Sequence, residues 1–373
     1  MKKLYNLYYN RLKINDINTD NQLHLLNEDE IGRIRRQENL AIFWSAFIGM
    51  MGVLVLYLPQ YFFPQYFPDI EITLPIVGKI QFPLISTFFG IPLVFLEIYA
   101  LTLLNIHSVH LIAAATGFIN SKDKYSEEKR AKLLGISTEE KDKSLLNYGI
   151  DPLQGMAKFQ IFAITAVFAL KATLSNLVMK IIVRRVLGRY AVREVLDMLG
   201  IPIFAFWNAM ATRTVLREAR VVIMGQNMID NILIIISNNV DLKLLMQSVD
   251  NQTTLYDTLQ FIAISKRDFH VNHLYLTHHI LNVFGVKIKE KHLLSKDYFH
   301  QLSKAPSAVQ NLCKFIIILG FLLDGSFSFR EIKRLKILNM EGILSENVRE
   351  IRGDKNDFLN GRGLENLMNR YHI

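Results

Sequence analysis

The sequence predicts an all-α membrane protein, and three observations carry that expectation. Half of the 373 residues are apolar and only 21% are charged, below the roughly 25% usual in soluble domains. Two long stretches in the first third are almost free of charge. Beyond them apolar residues recur at helical spacing to the C-terminus, and no alternating strand pattern of convincing length interrupts them.

The first stretch, residues 39–68, carries no charge, and within it residues 40–58 approach the ~20 apolar positions needed to cross ~30 Å of hydrocarbon. It follows a charged segment, residues 1–39, and lacks a cleavage pattern, so a permanent spanning helix is expected rather than a signal peptide. The second stretch, residues 80–121, has Glu97 as its only charge. Pro83 and Pro92 are expected to break it, leaving a span over about 83–106 and a continuation along the headgroup region. Together these form a hairpin over residues 40–119.

Orientation follows from lysine and arginine in the short flanks. There are seven in residues 1–39, only Lys79 in residues 59–82 and eight in residues 107–158. Both termini are therefore expected in the cytoplasm, with the aromatic connection Tyr61, Phe62, Phe63, Tyr66 and Phe67 at the outer surface of an inner membrane. Residues 120–155 form a charged cytoplasmic connection. Residues 156–245 are a basic, apolar, membrane-associated region in which residues 159–179 contain Lys171 and residues 198–212 are short for a span. Two further crossings are open there. The alternative is a helical hairpin on the inner leaflet, because crossing would carry Lys180, Arg184, Arg185, Arg189 and Arg193 outside. Residues 246–373 read as a cytoplasmic bundle, with helix breaks near Asn238-Asn239, Gly285, Pro306, Gly325 and Gly353.

Several residues stand out chemically. Glu97 and Lys171 are lone charges in apolar stretches, where an unpaired charge costs at least ~2.5 to 3.5 kcal/mol. With Asn208 they suggest an intramembrane polar contact or an ion path; the plainer alternative is that each reaches an interface. Arg185, Arg189 and Arg193 repeat every fourth residue, as do Arg213 and Arg217, with Arg220 three further on. Each set forms a stripe on one helix face. Basic stripes beside the apolar 198–212 segment fit anionic lipid headgroups, or are ordinary solvated faces. The net charge of +9 alone does not point to nucleic acid, since no binding motif or interleaved aromatics accompany it.

His270, His273, His278 and His279 cluster without the remaining ligands of a zinc site, so partly exposed helix histidines are expected. His107 and His110 receive the same reading. No nucleophile elbow, phosphate loop or metalloprotease pair occurs, and Cys313 is the only cysteine; in an apolar helix its thiol is expected to be inert. No cofactor is expected, and an enzyme is unsupported.

Residues 87–118 (Thr87-Phe-Phe-Gly-Ile-Pro-Leu-Val through Ile106-His-Ser-Val-His-Leu-Ile-Ala-Ala-Ala-Thr-Gly-Phe), Gly200-Ile-Pro-Ile-Phe-Ala-Phe-Trp-Asn-Ala and Glu218-Ala-Arg-Val-Val resemble the central and final helices of the bacterial EcsC family. That resemblance implies a neighbourhood of transporter and secretion systems. Phe315-Ile-Ile-Ile-Leu-Gly-Phe-Leu-Leu-Asp324-Gly325-Ser-Phe-Ser-Phe-Arg-Glu331 resembles the Asp-Gly helix-turn-helix of TerB-like domains, which are associated with tellurite and membrane stress. By that resemblance Asp324 and Glu331 become candidate divalent-metal ligands. The residues themselves read as a turn followed by a capping box, Ser328 with Glu331. A weaker copy around Leu281 to Gly285 has Phe284 and Lys291 in the corresponding places. The expected function is a non-enzymatic membrane-tethered scaffold or sensor meeting stress or transport proteins; a small transporter using Glu97, Lys171 and Asn208 and a lipid hydrolase are the alternatives.

Overall fold

The computed structural model describes residues 8, 26–68, 70–74, 78–82, 84–119, 144–156, 193–268 and 270–373. Among them the protein is all-α apart from one short hairpin. Asn27 starts α1 (Glu28–Phe62) with a capping box: its side chain accepts the Glu30 N–H at 2.8 Å, and Glu30 in turn accepts the Asn27 N–H at 2.9 Å. Three acidic residues in the first turn suit the positive end of the helix dipole. A tight turn at Pro64–Tyr66 follows. Strands β1 (Ile70–Leu74) and β2 (Gly78–Phe82) then pair antiparallel, Ile70 opposite Phe82 and Leu74 opposite Gly78. At five residues each, they fall below the length at which alternation is recognisable.

Helix α2 (Leu84–Ala115) runs unbroken through Pro92, so the expected break there does not occur. Pro83 instead immediately precedes the helix. The largest departure from expectation is α3 (Arg193–Asn238), a single 46-residue helix, ~69 Å long at 1.5 Å per residue. Residues 198–212 are its first part and lie alongside α1.

The C-terminal helices are α4 (Val240–Leu245), α5 (Val249–Lys266), α6 (Val271–Val283), α7 (Tyr298–Lys304), α8 (Ser307–Leu322), α9 (Phe329–Met340), α10 (Val348–Leu359) and α11 (Leu364–Tyr371). Helix α8 is their axis, with residues 315–323 all buried. Breaks fall at Asn239, Gly285, Pro306 and Gly325 as expected, whereas Gly353 lies inside α10. Gly353 meets no obstruction, so the helix passes through it.

One hydrophobic core joins these layers: Ile31 and Ile34 of α1, Val109 and Ile112 of α2, Leu216 and Ile223 of α3, and Phe315 and Leu319 of α8 belong to it. A domain boundary at residue 245 therefore cuts through continuous packing. At the other end the same three long helices expose large apolar side chains to the surroundings: Phe43, Trp44, Phe47 and Tyr61 on α1, Phe88, Phe95 and Leu96 on α2, and Phe206 and Met210 on α3. Each of the three is long and apolar enough to cross a membrane. Such a continuous apolar belt is what lipid requires and water disfavours.

Candidate functional site

Two buried polar assemblies lie along α3, one inside the apolar belt and one just beyond it. In the belt, Asn208 Nδ2 donates to Glu97 Oε1 at 2.7 Å, and Asn208 is fully buried. The sequence singled out both residues, and the fold brings them together. Space for them comes from α1. A Cβ on Gly49 would stand 2.6 Å from both Asn208 Nδ2 and the Phe204 carbonyl oxygen, and one on Gly52 would meet the Glu97 carboxylate at 3.2 Å. Glycine at these positions lets three helices meet at one level around a carboxylate. Lys171, Arg185 and Arg189 lie outside the described residues, and Arg193 opens α3.

The arginines beyond the belt divide by role. Arg213 is exposed. Arg217 Nη2 donates to the Gly325 carbonyl at 3.2 Å. Arg220 donates through Nε to the Leu359 carbonyl at 2.8 Å, through Nη2 to Asn360 Oδ1 at 3.0 Å and through Nη1 to Glu38 at 3.5 Å. Burial raises the Glu38 carboxyl above its usual range against the pull of Arg220. Arg217 and Arg220 thus clamp α3 to the C-terminal bundle and to α1. Arg220, one of the residues expected at lipid headgroups, thus places one donor from each of its three guanidinium nitrogens on the protein itself.

The second assembly is centred on Lys266, the last residue of α5, whose side chain is 1% exposed. Its Nζ donates to Asp324 Oδ1 at 2.7 Å, the Phe321 carbonyl at 2.9 Å and the Ser326 carbonyl at 3.2 Å, and is ion-paired with Glu331. Asp324 also accepts from the Ser326 N–H at 2.9 Å, and Glu331 accepts the Ser328 N–H at 2.7 Å, closing the expected capping box. Gly325 makes the turn at φ +64°, with Val221 of α3 packed where a Cβ would stand.

Asp324 and Glu331 do converge on a cation, but the cation is the Lys266 ammonium. The Asp324 carboxylate and two carbonyls take its three N–H donors, Glu331 adds a second negative charge, and among the described residues no group of three or more metal-ligating side chains forms. The carboxyls respond differently. Burial pushes Asp324 up, but Lys266, His273 and the hydrogen bonds outweigh it and leave it below its usual range. For Glu331 burial prevails over the pull of Lys266, and its carboxyl lies above the usual range.

Of the clustered histidines, His278 and His279 are partly exposed as expected, whereas His270 and His273 are buried. His270 caps α6, accepting the Asn272 N–H at Nδ1 (3.2 Å), while Nε2 lies 3.1 Å from Glu218 of α3. His273 Nε2 is 2.9 Å from the Gly320 carbonyl. Burial first, then the nearby Lys266, lower its pKa to about 4. His278 meets the Tyr148 hydroxyl at 2.8 Å. The thiol of Cys313 is buried and pushed up to about 12, which leaves it unreactive as expected.

Four buried polar residues escape the sequence. Lys266 reads as an ordinary lysine at a helix C-terminus. Asn272 donates to the Val221 carbonyl at 2.9 Å and the Leu323 carbonyl at 2.8 Å, tying α3 to the end of α8. Asp257 and His292 form a buried pair at 2.7 Å that fastens the irregular strand of chain after Gly285, where the weaker Asp-Gly copy makes no second helix. A buried partner leaves no mark in the local pattern of either residue.

No protein-family model, curated protein or solved structure matches the chain.

Proposed function

We propose that the protein is a multi-pass, non-enzymatic sensor or scaffold of the inner membrane, in which α3 joins an intramembrane contact to a cytoplasmic bundle. One observation supports this above the others: the same unbroken helix carries Asn208 to Glu97 in the belt and, ~13 to 20 Å further along, Arg217, Arg220 and Val221 to the Asp324-Gly325 turn and α10. A shift or rotation at one end is felt at the other, because a packed helix moves as a body. The EcsC-like and TerB-like resemblances favour partners from transport or membrane-stress systems, and anionic lipid remains the fitting neighbour for exposed Arg213.

Packing directions support one topology over the other. Gln37 meets Ser108 and Gly52 meets Glu97, so α2 is antiparallel to α1; Glu38 meets Arg220 and Gly49 meets Asn208, so α3 is too. The start of α3 then lies at the far end of the belt from the bundle. Four crossings, with both termini on the cytoplasmic bundle side, fit this better than two. On a Cys313→Ser background, Gln65→Cys and Arg193→Cys should label from outside, and Asn360→Cys only from inside. Internal labelling at Arg193→Cys restores the two-span arrangement.

Affinity capture in mild detergent tests the sensor reading: partners held by the native chain should be lost from Arg217→Ala/Arg220→Ala while the protein stays folded. Glu97 and Asn208 favour a second reading, a small transporter. Ion flux in proteoliposomes that disappears in Glu97→Gln would establish it over the first.

A further inference from the structure

Heights along α1 and α3 locate the membrane end of the bundle. Arg220 pairs with Glu38 and Asn208 lies against Gly49, so Arg217 stands level with residues 40–41 of α1, where Leu40, Phe43 and Trp44 begin the exposed apolar belt. Arg217 donates to the Gly325 carbonyl at 3.2 Å, which puts the Asp324-Gly325 turn near the same height. Phe329 follows four residues later, within ~14 Å of Gly325, and is 83% exposed. From there α9 runs back along α5: Glu331 pairs with Lys266, and Arg334 lies over the Phe261 ring, 5.9 Å from its centroid. Met340, at the far end of α9, is ~17 Å beyond Phe329.

Three arginines gather at this end. Arg267, the residue after Lys266, takes a left-handed backbone (φ 57°) and donates through Nη1 to the Pro152 carbonyl at 2.8 Å and the Gln154 carbonyl at 2.5 Å. Those two carbonyls fix its side chain. Arg330 and Arg334 of α9 approach it: burial first, then the charges of Arg334 and Arg330, lower the Arg267 pKa, and Asp151 acts the other way. Among the described residues no ion pair forms to Arg267, Arg330 or Arg334. Arg330 is exposed beside Phe329. Guanidiniums that repel one another and lack a paired carboxylate form an arrangement that a bound anion relieves.

We propose that Arg267, Arg330, Arg334 and Phe329 form a second membrane contact, in which phosphates of anionic lipids in the bundle-side leaflet lie against the three guanidiniums and the Phe329 ring enters the headgroup boundary. Phosphate matches the planar donors of arginine, and an aromatic ring among basic side chains is the combination that holds a protein surface at that boundary. Nearness to the belt selects lipid over a soluble anion, since the crossing helices hold the bundle at a surface that carries such phosphates. Unlike exposed Arg213 on α3, this contact belongs to the C-terminal bundle, and it seats the Asp324-Gly325 turn between α3 and lipid. It rests on the reading that the three long helices cross the membrane.

The chain's two tryptophans, Trp44 and Trp207, stand on belt segments of α1 and α3 and provide an internal control. In vesicles of phosphatidylcholine with phosphatidylglycerol, the full native chain should lose tryptophan emission to lipids brominated in their acyl chains. A second chain carries Trp44→Phe, Trp207→Phe and Phe329→Trp; a third carries Met340→Trp in place of Phe329→Trp. Lipids spin-labelled at the headgroup should quench Phe329→Trp about 2-fold or more strongly than Met340→Trp. That excess should fall away in pure phosphatidylcholine, in high salt and on adding Arg330→Glu, a change at an exposed side chain. Equal quenching at the two positions, or quenching of Phe329→Trp that ignores the anionic lipid, overturns the contact. Inorganic phosphate added in detergent should leave the Phe329→Trp emission unchanged; a saturable change would give the arginines to a soluble phosphate instead. Absence of quenching at Trp44 and Trp207 in the native chain overturns the crossing reading and the contact with it, so the two failures are told apart.

Discussion

The belt seam, a contact between α2 and α3, and the Lys266 assembly, a contact between α5 and the turn into α9, bury polar groups by opposite means. In the seam one carboxylate meets one amide, the remaining groups are neutral, and glycines supply the room. Around Lys266 a full positive charge faces two carboxylates, and backbone carbonyls take up the remaining donor capacity. In hydrocarbon every formal charge is expensive, so neutral hydrogen-bonding groups are the economical choice. In the bundle a buried ion pair holds only while each member keeps its partner. The seam should therefore tolerate conservative change, whereas the Lys266 assembly should fail when any one charge is removed.

The sharpest test of that contrast is Lys266→Met. Leaving two carboxylates buried without their cation should destabilise the protein by ~3 to 5 kcal/mol, read as a fall in the thermal midpoint of the detergent-solubilised chain. Adding Asp324→Asn and Glu331→Gln should recover much of it. A small effect for the single change would place the assembly on the same footing as the seam.

The pH response comes next. His273 has its folded pKa lowered to about 4, against ~6.5 in the unfolded chain. The unfolded state therefore binds the proton first. Stability contributed by neutral His273 is complete above ~6.5 and is lost as pH falls towards about 4, to the extent of ~1 to 3 kcal/mol. The raised Glu331 carboxyl acts in the opposite sense over its own range. The difference between native chain and His273→Gln, melted across pH 4 to 7, isolates the histidine; parallel curves would remove it from the account.

Within the seam, Gly49→Val should cost ~1 to 3 kcal/mol because the new side chain meets the Phe204 carbonyl oxygen. Gly32→Ala, on the same helix with nothing within 4 Å of a new Cβ, should be neutral or slightly stabilising. Equal effects on the midpoint would show that the three helices do not approach as closely as the geometry states.

The smallest effect is expected at the helix start beside Lys266. Ser328→Ala should lower stability by ~0.5 to 2 kcal/mol, with the same loss in chelator as without it. A chelator-dependent loss would return a metal to the Asp324 and Glu331 carboxylates.

What local sequence determined was periodicity and punctuation. Long uncharged stretches, the Asp324-Gly325 turn, the Ser328 to Glu331 spacing and the Glu97 and Asn208 outliers are properties of a few neighbouring residues, and the fold keeps all of them. The hairpin of β1 and β2, the continuity of α2 through Pro92 and the single long α3 were not legible. Proline and glycine lower local helix propensity by amounts that packing outweighs, and five-residue strands carry too little pattern. Tertiary structure alone decided the partners. Lys266 neutralises carboxylates 58 and 65 positions away, and Arg220 reaches Leu359 and Glu38 rather than lipid. His270 and His273 lose water because α3 and α8 close over them. Helical spacing states which face a residue occupies, but which charges and carbonyls that face meets depends on distant segments packing together.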